Sequence, residues 1–133
     1  MKSKTIGVTI GTFALLALGS GVAHAEGDWS GTIGGWLTGK ESRHWEDKNR
    51  DAVGTSVKLS KCKTESATFR SATLQLKKER GKGMPDPVIA RHDNTCNTSS
   101  FGRQGSGKYY FNLSRINGSD NGNRLWASVT VKY

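Results

Sequence analysis

The chain has 133 residues, with 20 lysines and arginines against 11 aspartates and glutamates, for a formal net charge of +9. This length allows one small domain with a modest core. Excess positive charge suits nucleic acid, an anionic cell-wall polymer or an acidic protein partner, or it only keeps the protein soluble. One apolar run lies near the start of the sequence, at 6–18, and no second run follows that could act as a stop-transfer segment.

Residues 1–25 have the pattern of a cleavable export signal. A start with two lysines precedes an apolar core at 6–18, which is too short for a permanent membrane helix. Residues 23–25 read Ala-His-Ala, the small-x-small pattern that a signal peptidase requires. We therefore predict a secreted, extracellular protein whose new N-terminus is Glu26.

Residues 26–40 form a glycine- and tryptophan-rich N-terminal arm. Glycines recur throughout it and disfavour a helix, since each costs about 1 kcal/mol relative to alanine. An extended segment fits better, either as a strand of this domain or as an arm that becomes ordered against a partner. The arm carries four apolar anchors, Trp29, Ile33, Trp36 and Leu37.

The remaining residues, 41–133, have the pattern of a β domain. A charged region at 41–51 is expected to be a surface turn, and 92–107 a long polar loop. Residues 117–122 predict a turn that joins the last two strands into a hairpin. The class is all-β, a small sandwich or barrel. Alternating or short apolar runs predict strands within 53–60, 68–78, 88–90, 108–116 and 125–133.

Two cysteines, Cys62 and Cys96, predict one disulfide. Outside the cell no reducing pool keeps thiols free, so an even count favours a bridge. Closing a loop of about 35 residues stabilises a fold by roughly 3–4 kcal/mol in the chain-entropy description. A zinc site is disfavoured because the pair lacks CxxC spacing.

The segment from Asp47 to Asp51 has the D-x-N-x-D spacing that points three oxygen side chains at one calcium ion. The full loop fails, because Ala52 replaces the glycine of the sharp turn and Lys58 replaces the bidentate glutamate. The alternative is a turn in which Asp47, Asn49 and Asp51 bond their own backbone. The sequence leaves calcium binding open.

Two histidines are candidates for acid–base chemistry once residues 1–25 are removed. A basic secreted ribonuclease needs a glutamate base, an arginine for the phosphate and a histidine acid. His44 or His92, with Glu65 or Glu79, could supply such a set. The alternative is that both histidines lie in surface turns. A secreted ribonuclease or cell-wall hydrolase is the second functional hypothesis.

Residues 84–87, Met-Pro-Asp-Pro, predict a stiff exposed loop between strands. Rigidity lowers the ordering cost of binding, as a substrate-like protease inhibitor requires. The loop resembles the reactive loop of the secreted subtilisin-inhibitor family of actinomycetes, although that family flanks the loop with cysteines. A protease inhibitor using Met84-Pro85 is the third hypothesis.

Two further motifs do not fit a function. The run 102–108 nearly matches a phosphate-binding loop, but Tyr109 stands where a serine or threonine is needed and a strand follows instead of a helix. The basic cluster 77–82 lacks the interleaved aromatics of a single-strand nucleic-acid site. Apart from the open question of calcium at Asp47, Asn49 and Asp51, we expect no cofactor, no catalytic residue, no metal, no membrane partner and no nucleic-acid partner.

The order of segments resembles a known family. An export signal, the Gly/Trp arm 29–36, the charged run 43–51 and a two-cysteine β domain are similar to the small adaptor subunit of the umbrella toxin particles secreted by Streptomyces. The resemblance implies a subunit without catalysis. It docks an inserted segment on helical repeats of a large toxin-bearing subunit and helps attach a trypsin-like lectin subunit.

The first hypothesis is accordingly a secreted, non-enzymatic adaptor that binds other protein subunits in an extracellular bacterial toxin complex. Aromatic side chains on a small-residue strand are frequent interface hot spots, and edge pairing adds backbone hydrogen bonds. The alternative is that the anchors complete the domain's own core. The predicted partner-binding residues are Trp29, Ile33, Trp36 and Leu37.

Overall fold

The computed structural model describes residues 26–133 and folds them into β-strands without a helix. Residues 1–25, where the sequence predicts an export signal, lie outside the described residues. Within the described range, no helix has the length and apolar character needed to cross a membrane. The strands are β1 Asp28–Trp36, β2 Trp45–Asp47, β3 Thr55–Thr64, β4 Ala72–Lys78, β5 Val88–Asn94, β6 Thr98–Gly102, β7 Gly107–Ile116 and β8 Leu125–Lys132.

The strands form two antiparallel sheets of four, which confirms the predicted all-β sandwich. Sheet I has the order β1-β8-β3-β6, and sheet II has the order β2-β7-β4-β5. The period-2 alternation explains the layering, because it places one row of each strand between the sheets. In β8, for example, Val129 and Val131 are buried while Trp126 and Lys132 are exposed.

The core lies between the sheets and consists of aliphatic side chains with a few aromatic rings. Sheet I contributes Val57 and Leu59, and sheet II contributes Leu74 and Leu76, all without exposed surface. Phe111 of β7 is also fully buried and contacts aromatic rings of sheet I. Each such side chain stabilises the fold by roughly 1.5–3 kcal/mol relative to an exposed one.

The predicted disulfide is present and joins β3 of sheet I to the turn that leads from sheet II back to sheet I. Cys62 lies in β3, and Cys96 lies in the turn between β5 and β6, with their Cα atoms 5.9 Å apart. Cys96 has a positive φ of 74°, and the side chain of buried Asn94 supports this turn. Its Oδ1 accepts hydrogen bonds from the backbone N–H groups of Cys96 and Asn97 at 2.8 and 3.0 Å.

The predicted hairpin of the last two strands is wrong. β7 pairs with β2 and β4 in sheet II, whereas β8 pairs with β1 and β3 in sheet I. The turn after Ile116 therefore crosses from one sheet to the other. Both strands have alternating apolar residues, and this pattern is satisfied by burial against the opposite sheet as well as by hairpin pairing.

Two predicted loops also contain strands. The stretch 92–107 holds the end of β5 and all of β6, whose polar residues hid the pattern. The stretch 41–51 holds β2, in which Trp45 and Asp47 are buried. β2 pairs with β7 on the side opposite β4, so this charged segment contributes an edge strand to sheet II and is not only a surface turn.

Candidate functional site

β1 is an edge strand of sheet I. It pairs with β8 from Asp28 to Trp36, and within residues 26–133 no strand pairs with its other side. The predicted arm is therefore a strand of this domain, which was one of the two alternatives. A strand with one unpaired side presents a row of backbone donors and acceptors to solvent.

Three of the four predicted anchors turn inward from β1. Ile33 is fully buried, and Trp29 and Trp36 are partly buried against the core. Both indoles contact the ring of Phe111, at centroid distances of 6.4 and 5.9 Å. The guanidinium of Arg43 covers the Trp29 ring from 5.3 Å. Ile33 therefore has no exposed surface for a partner, in agreement with the alternative that the anchors complete the core of this domain.

The end of β1 is different, because apolar side chains are exposed there. Leu37, the fourth anchor, is 39% exposed, and Trp126 of β8 is 37% exposed. Trp126 lies opposite Gly34 in the strand register. Gly35 has a φ of 71°, and a Cβ there would lie 3.3 Å from the Trp126 ring, so two constraints favour glycine. We call the unpaired side of β1 with Leu37 and Trp126 the β1 patch.

Sequence reasoning missed Trp126 as a surface residue. It lies in the outward row of β8, between buried Leu125 and Ala127. The sequence did contain a signal for this exposure, because Trp126 is a large apolar residue in the otherwise polar row of an alternating strand.

A second group of polar side chains lies on the outer face of sheet II, around Tyr110. His44, from the segment before β2, stacks on the Tyr110 ring with centroids 4.1 Å apart. His44 Nδ1 also forms a hydrogen bond with the carboxylate of Glu79, just after β4. Lys77 reaches over the same ring at 5.9 Å. We call these residues, together with Asp86, the Tyr110 cluster.

Asp86 completes the Tyr110 cluster. The Tyr110 hydroxyl donates to Asp86 Oδ2 at 2.6 Å, and the backbone N–H of Arg80 donates to Oδ1 at 2.9 Å. The Tyr110 hydrogen bond, followed by that of Arg80, lowers the pKa of Asp86 below its usual value. Burial, followed by the Asp86 contact, raises the pKa of Tyr110. Tyr110 therefore stays protonated at neutral pH and acts as a donor.

The fold brings together only part of the set expected for a ribonuclease. His44 and Glu79 meet, but the other ion pair in residues 26–133 joins Arg124 to Glu65, 3.8 Å apart, away from this pair. His92 bonds the Ser99 hydroxyl at 2.7 Å instead of a glutamate. Glu79 and His44 are partly exposed, with side-chain exposures of 34% and 42%.

The loop with calcium-like spacing adopts the alternative geometry of a self-bonded turn. Asp47 Oδ1 accepts from the backbone N–H of Asn49 at 2.7 Å, and Asp51 Oδ1 accepts from that of Val53 at 2.9 Å. The Asn49 side-chain oxygen accepts from Arg103 at 2.9 Å. Burial raises the pKa of Asp47. Across residues 26–133, no group of three or more His, Cys, Asp or Glu side chains is placed to hold a metal.

The Met84-Pro85 loop is exposed and internally bonded. Met84 is 56% exposed, and its backbone N–H donates to the carbonyl of Gly81 at 3.0 Å. Val88 and Ile89 add exposed apolar side chains on β5, which is one of the two edge strands of sheet II. This arrangement fits a stiff loop, and inhibition of a protease stays a prediction.

No protein family, curated protein or solved structure matches this chain. The functional conclusion therefore depends on the residues and their geometry.

Proposed function

We propose that this protein is a secreted, non-enzymatic adaptor that binds another protein through the β1 patch. The observation that supports it is the unpaired side of β1, together with exposed apolar side chains just after the strand, at Leu37, and on the neighbouring β8, at Trp126. The nine residues of β1 include no lysine and no proline, two of the features that protect natural edge strands, and its register irregularity is confined to the end of the strand, between Gly34 and Trp36.

The chemistry of the β1 patch favours strand addition. An extended segment of a partner would bond the free backbone groups of β1, and its apolar side chains would cover Leu37 and Trp126. Tryptophan is enriched among the residues that dominate binding energy. The inward anchors then have an indirect role, since Ile33 and Trp36 hold the strand in position from the core side.

The partner in this proposal is another secreted subunit of a bacterial toxin complex. The pattern of residues 1–25 supports export, and the resemblance to the umbrella particle adaptor suggests a large repeat-bearing subunit and a lectin-like subunit as partners. The disulfide is compatible with an extracellular location.

Affinity capture from culture supernatant, read by mass spectrometry, tests this proposal. The variant Gly34→Lys places a charge beside Trp126 at a position where a Cβ meets no atom within 4 Å. We expect it to fold normally and to lose the captured subunits. Gly105→Lys, at an equally open glycine in the loop before β7, is the matched control and retains them. Equal recovery by both variants, or recovery of the wild-type chain alone, contradicts the proposal.

A secreted hydrolase is the second candidate, because His44 and Glu79, 35 positions apart in the chain, form a hydrogen bond. A glutamate on Nδ1 orients an imidazole and leaves Nε2 for proton transfer. Incubation with RNA and with peptidoglycan tests this candidate. Cleavage that is lost in His44→Gln but kept in His92→Gln supports it, and no cleavage by the wild-type chain rejects it.

A further inference from the structure

A polar cavity of about 390 Å³ opens at the end of the sandwich where β3 leads to β4 and β7 leads to β8. It is formed by two loops, 65–71 and 117–124, and none of its lining residues belongs to the β1 patch or to the Tyr110 cluster. The second loop reaches β1, because the guanidinium of Arg124 donates to the carbonyl of Gly35 at 3.2 Å. The cavity is lined by Ser66, Ala67, Arg70, Ile116, Asn117, Ser119, Asn121, Gly122 and Asn123.

The first loop is fixed to the second by the amide of Asn117. Its Oδ1 accepts from the backbone N–H groups of Arg70 and Ser71 at 2.6 and 3.1 Å, and its Nδ2 donates to the carbonyl of Thr68 at 3.1 Å. Asn117 itself has a φ of 52°, a conformation that asparagine tolerates. All of these bonds support the wall of the cavity and leave little of this amide for a ligand.

Asn123 makes a second connection of the same kind. Its Oδ1 accepts from the backbone N–H of Ser66 at 2.9 Å, and its Nδ2 donates to the Ser66 carbonyl at 3.0 Å. Between the two connections, Ala67 adopts a φ of 65°, and its carbonyl accepts from the Thr64 hydroxyl at 2.7 Å. A left-handed alanine persists only where its surroundings impose it, so this wall is preorganised.

Four lining side chains keep their hydrogen-bonding capacity. In residues 26–133, the side chains of Ser66, Arg70, Ser119 and Asn121 make no hydrogen bond to another residue. They offer two hydroxyls, one amide and one guanidinium. Arg70 is the one charged residue in the lining.

We infer that this cavity binds an acidic saccharide. A guanidinium forms paired, charge-assisted hydrogen bonds with a carboxylate, and hydroxyl and amide groups match the alternating donors and acceptors of a sugar ring. Polar groups outweigh the apolar lining that most drug-like ligands require, since Ala67 and Ile116 are the apolar side chains among the lining residues. A simple carboxylate such as acetate would engage Arg70 alone and leave the separate hydroxyl and amide groups unused.

NMR titration of the purified chain with glucuronate tests the inference, with glucose, acetate and an acetylated dipeptide in parallel. We expect saturable shifts confined to loops 65–71 and 117–124 with glucuronate, and weaker responses to the other three. Arg70→Gln removes the charge but keeps the backbone bond to Asn117, and it should weaken glucuronate binding by about tenfold or more.

Arg80→Gln is the matched control, since it removes one exposed arginine at the β4–β5 turn, and it should bind like the wild type. Thermal unfolding verifies that both variants are folded. The inference is overturned if glucuronate gives no saturable shift in the two loops or if acetate or the dipeptide binds as well. Equal affinity of the Arg70 and Arg80 variants also overturns it. None of these results bears on the capture experiment with Gly34→Lys.

Discussion

The β1 patch and the Tyr110 cluster lie on different sheets and differ in how much of their bonding capacity is already used. Along β1, one whole side of the backbone has no pairing strand within residues 26–133. In the Tyr110 cluster, His44 bonds Glu79, and Tyr110 donates to Asp86. The free side of β1 therefore keeps hydrogen-bonding groups for a macromolecular partner, whereas the Tyr110 cluster uses much of its hydrogen-bonding capacity between its own members.

Within β1 itself, the side chains that face the core also differ from those at its exposed end. The inner row of β1 completes the core through Ile33, and the exposed end offers Leu37 and Trp126 to solvent. Changes on the inner row should therefore act on stability, and changes at the patch should act on binding.

The largest expected effect is that of Ile33→Ala. Ile33 is fully buried, so this truncation should lower the free energy of unfolding by about 2–5 kcal/mol. Urea unfolding measures it. Its neighbour Thr32 is exposed, and Thr32→Ala should stay within about 0.5 kcal/mol of the wild type. If Ile33→Ala lowered the free energy of unfolding as little as Thr32→Ala, β1 would not be part of the folded core.

A smaller but more specific effect is expected from Trp126→Ser. If the β1 patch binds the partner as proposed, removing the exposed indole of Trp126 should weaken binding by about 2 kcal/mol, a factor of roughly 30 in the dissociation constant. Titration calorimetry with the captured partner measures this change. Val88→Ser, at an exposed apolar position on the β5 edge, serves as the control. If Trp126→Ser and Val88→Ser weakened partner binding equally, the interface would not be confined to the β1 patch, which contradicts the proposal.

The smallest effect is expected in the Tyr110 cluster. Tyr110→Phe removes the hydrogen bond to Asp86, so the pKa of that carboxyl should rise towards its usual value. A lowered pKa stabilises the fold above the unfolded-state value, and this contribution is lost as the pH falls through the folded-state pKa. The stability difference between the variant and the wild type should therefore shrink in acid.

A carboxyl NMR titration and unfolding at two pH values measure these changes. Tyr109→Phe is the matched control, because its hydroxyl donates to the carbonyl of Gly105 at 2.7 Å instead of to a carboxylate. Its stability cost should show no such acid dependence. An unchanged pKa of Asp86 in Tyr110→Phe would contradict the assigned role of the hydroxyl.

The fold class and the disulfide could be predicted because both depend on local signals. Alternation at Val57 and Leu59 marks a strand with one buried face, and two cysteines leave a single intramolecular pairing. Sheet membership could not be predicted in the same way. β8 alternates whether it pairs with β7 or with β1, and only the packing of both sheets decides between them.

The candidate site was predictable in part for a related reason. The glycines of 26–40 indicate an extended segment, but they do not say which of its side chains turn inward. The exposure of Trp126 depends on its register opposite Gly34, and the meeting of His44 with Glu79 depends on a segment that lies beside β7. These are long-range placements, and one sequence carries little information about them.

Hydrogen exchange of the backbone amides, measured on the wild-type chain alone and with its captured partner, tests the central claim most directly. Partner strand addition predicts that amides of Asp28–Trp36 facing away from β8 gain protection, while those of another edge strand, Val88–Asn94, keep their free-state rates. Unchanged exchange along β1, with new protection at β5 or at the Tyr110 cluster, would contradict the account.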